Sequence, residues 1–127
     1  MSFRLSERSR ARLAGVHPDL VAVVEAAIRR TAVDFMVTEG RRSPERQRAL
    51  VKAGASRTLN SRHLTGHAVD VAALVEEQVR WDWPLYPRIA EAFKTAAEAL
   101  GTPIVWGGDW KTLRDGPHFE LDRKVYR

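Results

Sequence analysis

Ser61-Arg62-His63-Leu64-Thr65-Gly66-His67-Ala68-Val69-Asp70-Val71-Ala72-Ala73 changes character half-way along. The first part is polar and irregular and carries a glycine. The second part, from His67, is small, apolar and β-branched, and reads as a short β-strand. Asp70 interrupts that strand. A buried carboxylate is costly unless it is paired or holds a metal. Its same-face neighbours, Ala68 and Ala72, are small and leave space around it. Gly66 supplies a tight turn that can fold His63 back toward Asp70.

Outward from this strand, the N-terminal half reads mostly as helix. Ser6 caps a short helix running to about Leu13. Pro18 opens a second, whose Leu20, Val23, Val24, Ala27 and Ile28 follow the spacing of one buried face. Val33, Phe35 and Val37 alternate with Asp34, Met36 and Thr38 as in a strand, and Gly40 ends it. Ser43-Pro44 starts a helix that Gly54 stops. Residues 55–66 read as polar and irregular.

On the other side, Pro84 or Pro87 begins a helix. Leu85, Ile89, Ala92, Phe93, Ala96 and Leu100 lie on its apolar face, and Gly101 follows its end. Ile104-Val105-Trp106 is a strand ended by Gly107-Gly108, and His118-Phe119-Glu120-Leu121 alternates as the last one. Strands are scattered without a βαβ rhythm. The expected fold class is α+β, a small antiparallel sheet flanked by helices. No repeat or linker divides the 127 residues, so residues 1–127 are expected to form one domain.

Composition narrows the function. Hydrophobic residues at 44% allow a real core, which excludes a disordered tail. There is no cysteine, so a metal site must use His, Asp or Glu. Residues 1–62 hold 13 Lys+Arg against 6 Asp+Glu, a net +7, and the remainder holds 8 against 10, a net −2. A basic half attracts polyanions, either as a plain solvated face or as a functional one built on residues such as Arg8, Arg10 and Arg12. No stacking aromatics accompany these arginines, so a nucleic-acid reader is not expected. The N-terminus has no apolar stretch of the secretory kind, and no run approaches a membrane span. The expectation is a protein made in the cytoplasm, without stable membrane insertion.

A second unusual setting is Asp115-Gly116-Pro117-His118-Phe119-Glu120. Phe119 and Leu121 face the core, so His118 and Glu120 face the other way. Asp115 stands across a Gly-Pro turn, close enough to accompany a metal without binding it. Two imidazoles, His63 and His118, and Asp70 make a three-ligand set of the catalytic zinc type, which keeps one position for water. Asp115 then supplies a general base. Bland readings stand beside these. His63 alone is a loop histidine, Asp70 alone an arginine's partner, and Asp115-Gly116 an ordinary turn. His67 lies four residues from His63, as in a helical metal pair, but Gly66 argues against a helix there. His17, before Pro18, reads as a helix-entry residue.

Ser61-x-His63-x-x-Gly66-x-Ala68-x-Asp70, followed by Asp115-x-Pro117-His118, resembles the zinc peptidases of the VanY-like D-Ala-D-Ala carboxypeptidase superfamily. It resembles their phage endolysin branch most, the L-alanyl-D-glutamate endopeptidases. The resemblance implies a hedgehog/DD-peptidase type fold. It implies one Zn2+ held by His63, Asp70 and His118, with Asp115 as base. It also implies that Arg42, within Gly40-Arg41-Arg42-Ser43-Pro44, polarises the scissile carbonyl, although Arg41 is a neighbouring candidate. Ser61 would line the site, and Trp110 and Trp106 resemble a segment beside the substrate groove; as core tryptophans they read equally well. The implied substrate is bacterial peptidoglycan, attacked by a monomer after release from the host cytoplasm. A D-Ala-D-Ala carboxypeptidase or dipeptidase, and a non-catalytic zinc-stabilised wall-binding module, are the alternatives.

Overall fold

The strand that carries Asp70 lies at the centre of the sheet. The structure, a computed structural model, describes residues 3–56 and 61–127. Part of the polar segment expected at 55–66 therefore lies outside the described residues. Among the described residues there are four α-helices: α1 (Glu7–Arg12), α2 (Pro18–Arg30), α3 (Pro44–Lys52) and α4 (Leu85–Leu100). The strands are β1 (Asp34–Glu39), β2 (Ala68–Val75), β3 (Gln78–Arg80), β4 (Ile104–Trp106) and β5 (His118–Leu121). The sheet order is β1-β2-β5-β4, with β3 also paired to β2, and every pairing is antiparallel.

Period-two alternation divides β2 between two faces. Val69, Val71 and Ala73 join Phe35, Val37, Phe119 and Leu121 in the core, beneath α4, against which α2 packs. Ala68, Asp70 and Ala72 face the other way. Helix α2 buries Leu20, Val23, Val24, Ala27 and Ile28, as its spacing requires. Pro84 is the N-cap of α4. Pro87 falls in the first turn, where a missing N–H breaks no intrahelical bond. The apolar face of α4 differs from expectation at its end. Leu100, the last residue of the helix, is 48% exposed, while Tyr86, Ala90 and Ala97 are buried instead.

Two irregularities shape the site. Val37 pairs with Val71 and Glu39 with Asp70, so Thr38 is an extra residue. This bulge reverses the alternation of β1 and carries Glu39 to the face of Asp70. Gly66 ends the turn at Arg62–Thr65 with φ of 75°, and a Cβ there would lie 2.3 Å from the Gly15 carbonyl oxygen. A glycine is therefore required at both counts. Arg12, expected on a free basic face, donates from Nη1 to the Val37 carbonyl at 3.0 Å, so it ties α1 to β1.

Strand β3 was not expected from the sequence. It follows a two-residue turn, Glu76-Glu77, in which both φ angles are positive (52° and 67°). Such turns usually announce themselves with Asn-Gly or Asp-Gly.

Candidate metal centre and its cleft

His63 belongs to a 3-10 turn over Arg62–Thr65, capped by Ser61, whose hydroxyl accepts from the His63 amide at 3.2 Å. The buried ring places Nδ1 2.8 Å from the Gly40 carbonyl oxygen. A carbonyl accepts and never donates, so Nδ1 carries a proton, and in the neutral ring Nε2 carries the lone pair. That Nε2 faces Asp70 Oδ1 at 3.3 Å. His118 lies directly opposite Asp70 in the β2–β5 register. Its Nε2 stands 2.9 Å from Glu120 Oε1, and its Nδ1 stands 3.1 Å from the same Asp70 Oδ1.

Ligand atoms of His63, Asp70 and His118 lie within 4.8 Å of one another. The fit to a metal can be judged from these partners. Gly40 and the Glu120 carboxylate each take one ring proton, which turns the other nitrogen of each imidazole toward one carboxylate oxygen. Three electron-rich atoms then converge and need a cation between them, a metal ion or a proton. Burial works against a charged His118, but its bonds to Asp70 and Glu120 prevail and push its pKa up to about 9. Burial would raise Asp70, yet its bonds with His118 and His63 hold it well below the usual carboxylate range. The donor set of two nitrogens and one oxygen suits a divalent transition metal with an open position.

This centre forms part of the wall of a cleft of about 660 Å³, whose other walls include Arg42, Ser61, Trp110 and Asp115. Asp115 reaches it through a turn: its amide donates to the Gly107 carbonyl at 3.0 Å, and its own carbonyl accepts from the His118 amide at 3.2 Å. A Cβ on Gly107 would lie 2.3 Å from the Asp115 carbonyl oxygen, so glycine permits this approach. Burial and the charge of Asp70 both raise the Asp115 pKa.

Arg42, not Arg41, faces the centre. Its guanidinium donates from Nε to Glu39 and from Nη1 to Gln47 Oε1 at 2.6 Å, and Nη2 lies 3.8 Å from Asp70 Oδ2. Arg41 packs beside Gly15 and is exposed. Trp110 lies in the cleft with its ring 5.2 Å from that of His118. Trp106 does not line the cleft. It is buried in the core, with Nε1 donating to the Gly116 carbonyl at 2.7 Å. His17 caps α2 and His67 bonds Thr65; neither joins the three-residue group.

Sequence reasoning left Glu120, Glu39 and Gln47 without roles. The His118-x-Glu120 alternation signalled a shared face. The rotamers that put the carboxylate on Nε2 carry no sequence signal. Glu39 was hidden by the bulge at Thr38.

The profile of the phage L-alanyl-D-glutamate peptidase family matches residues 1–126. This chain belongs to that family. The L-alanyl-D-glutamate peptidase of Escherichia phage T5 is 30% identical over 99% of this chain and 94% of its own length. The crystal structure of the Serratia marcescens L-Ala D-Glu endopeptidase ChiX superposes with a TM-score of 0.92. It is 52% identical, with 97% of this chain and 93% of that one covered. The D,D-dipeptidase VanXYg shares the fold, with a TM-score of 0.55 at 20% identity over 84% of this chain and 50% of that one. The peptidase family that the two motifs resemble and the mixed α+β fold expected from the pattern of elements are thus both found.

Proposed function

We propose that this family member is a zinc peptidase that hydrolyses the L-Ala–D-Glu amide of peptidoglycan stem peptides. It acts as a monomer whose 127 residues form one catalytic domain. The observation that carries the reading is the orientation of both imidazoles, by Gly40 and Glu120, toward one oxygen of Asp70.

His63 Nε2, Asp70 and His118 Nδ1 would hold the ion. When bound, zinc supplies a Lewis acid that polarises a carbonyl and brings the pKa of a water toward ~7. Asp115 takes a proton from the attacking water and returns it to the leaving amine. Its carboxyl lines the same cleft as the three ligands, where a positioned carboxylate can serve as general base. Arg42, fixed by Glu39 and Gln47, keeps a cation beside the developing oxyanion, where a preorganised charge is most effective. Ser61 and Trp110 line the groove for the peptide.

No helix among the described residues is long and apolar enough to cross a membrane. In the endolysin reading, the enzyme reaches the wall after release from the host cytoplasm. Digestion of purified peptidoglycan, before and after chelation and zinc restoration, tests the reading by mass spectrometry. New N-terminal D-Glu that disappears with chelator is the expected result. Release of a terminal D-Ala alone would move the cut to a different bond. No cleavage with any metal would leave a wall-binding module.

A further inference from the structure

Two indoles outside the cleft are exposed although each is backed by another ring. Trp81 is 61% exposed and lies parallel to Tyr86, with centroids 6.3 Å apart and planes 4° from parallel. Trp83 is 43% exposed and stacks on Trp106 at 5.8 Å. Trp106 stacks in turn on the core residue Phe119. Each indole is therefore anchored from behind and offers its remaining surface to solvent. An indole held in this way can receive the flat apolar face of a ligand.

The position of these rings identifies the ligand. Gly116 packs beside one indole and the support of the other: a Cβ there would lie 3.1 Å from the Trp83 ring and 3.2 Å from Cβ of Tyr86, which backs Trp81. Gly116 directly follows Asp115, the proposed base. Trp83 thus packs against the turn that carries Asp115. In the proposed substrate the scissile carbonyl belongs to L-Ala, and the amine of that L-Ala is linked to the lactyl group of a sugar. One extended residue spans about 3.5 Å, so the saccharide lies within roughly 10 Å of the reacting carbonyl. A sugar ring has an apolar face that packs on an aromatic plane and hydroxyls that bond polar neighbours. The Arg80–Asp82 ion pair, about half exposed, flanks Trp81 and supplies those partners.

We propose that Trp81 and Trp83 form a stacking platform for the glycan strand of peptidoglycan, so that the enzyme grips sugar and peptide together. The proposal rests on the stem-peptide reading above. Its test uses three ligands: intact peptidoglycan, a sugar-free peptide containing L-Ala-D-Glu, and glycan strands stripped of stem peptides. Trp81→Ala should cut hydrolysis of intact peptidoglycan roughly tenfold, as expected for losing an aromatic contact, and leave the free peptide within about twofold. Trp83→Tyr should retain activity on both, and Trp83→Ala should repeat the split if it folds, as judged by its melting transition. Stripped glycan should quench tryptophan fluorescence in the wild type and less in Trp81→Ala. Equal losses on both substrates, or no loss on either, would overturn the platform. If the wild type cleaves nothing, the stem-peptide reading fails, and the quenching alone then decides the platform: no difference between wild type and Trp81→Ala sinks it.

Discussion

Two pairs of histidines lie at nearly the same separation in this molecule. The rings of His63 and His118 are 5.2 Å apart, and those of His17 and His67 are 5.7 Å apart. The first pair is buried and shares an oxygen of Asp70. The second is more exposed, and its Nδ1 atoms are taken locally, by the Asp19 amide and the Thr65 hydroxyl. Proximity of imidazoles is therefore a poor criterion for a metal centre. What separates the pairs is a carboxylate between the rings and a fixed acceptor behind each one.

The comparison breaks most decisively at the ligands. His118→Ala and Asp70→Ala should lose bound metal, measured by elemental analysis. They should also lose several kcal/mol of transition-state stabilisation, roughly a thousandfold or more in turnover. His67→Ala should keep its metal and remain within about twofold of wild-type turnover, as a surface change does. If His67→Ala also emptied the site, the ligand set assigned here would be wrong.

Asp115→Ala tests whether the cleft holds chemistry besides a metal. Turnover should fall by about 10² to 10⁴, the usual contribution of a positioned acid or base, with metal content unchanged. Next in size is the acceptor behind His118. Glu120→Leu should weaken zinc binding about 10- to 100-fold in a chelator competition, because the imidazole loses the group that fixes its tautomer. Glu120→Gln keeps an oxygen for Nε2–H and should lose less. Equal affinity in all three proteins would remove Glu120 from the positioning of His118.

The same contrast explains what could be read from the sequence. Helix α2 was legible because five buried residues repeat at helical spacing on one face. Asp70 was legible because a carboxylate within Val69, Val71 and Ala72 needs a partner. The Asp115 turn was legible because Gly-Pro precedes His118. Strand β3 was not, since all three of its residues are exposed and Glu76-Glu77 lacks any turn signal. The bulge that brings Glu39 to Asp70 was also hidden, because it depends on pairing with β2. Trp106 and Trp110 could not be told apart in sequence: one stacks in the core on Phe119, and the other opens onto the cleft.

The smallest effect separates the two pairs by pH. In metal-free protein the His118 pKa is raised to about 9, chiefly through Asp70 and Glu120 against the effect of burial. His67 moves the other way, lowered by burial and then by the charges of Arg62 and His17. A histidine whose folded pKa is raised binds its proton more tightly in the native state. Its stabilisation is complete below the unfolded value of about 6.5 and is lost as pH rises through about 9. For His67 the native state binds the proton less tightly, so its contribution is present above the unfolded value and is lost as pH falls below it. Metal-free protein should therefore lose stability between neutral pH and about 9. His118→Ala should flatten that alkaline decline, and His67→Ala should leave it in place. Melting temperatures from well below pH 6.5 to above about 9, read with NMR titration of the four histidines, measure both limbs. An alkaline decline that survived His118→Ala would mean that its proton is not what holds the metal-free centre together.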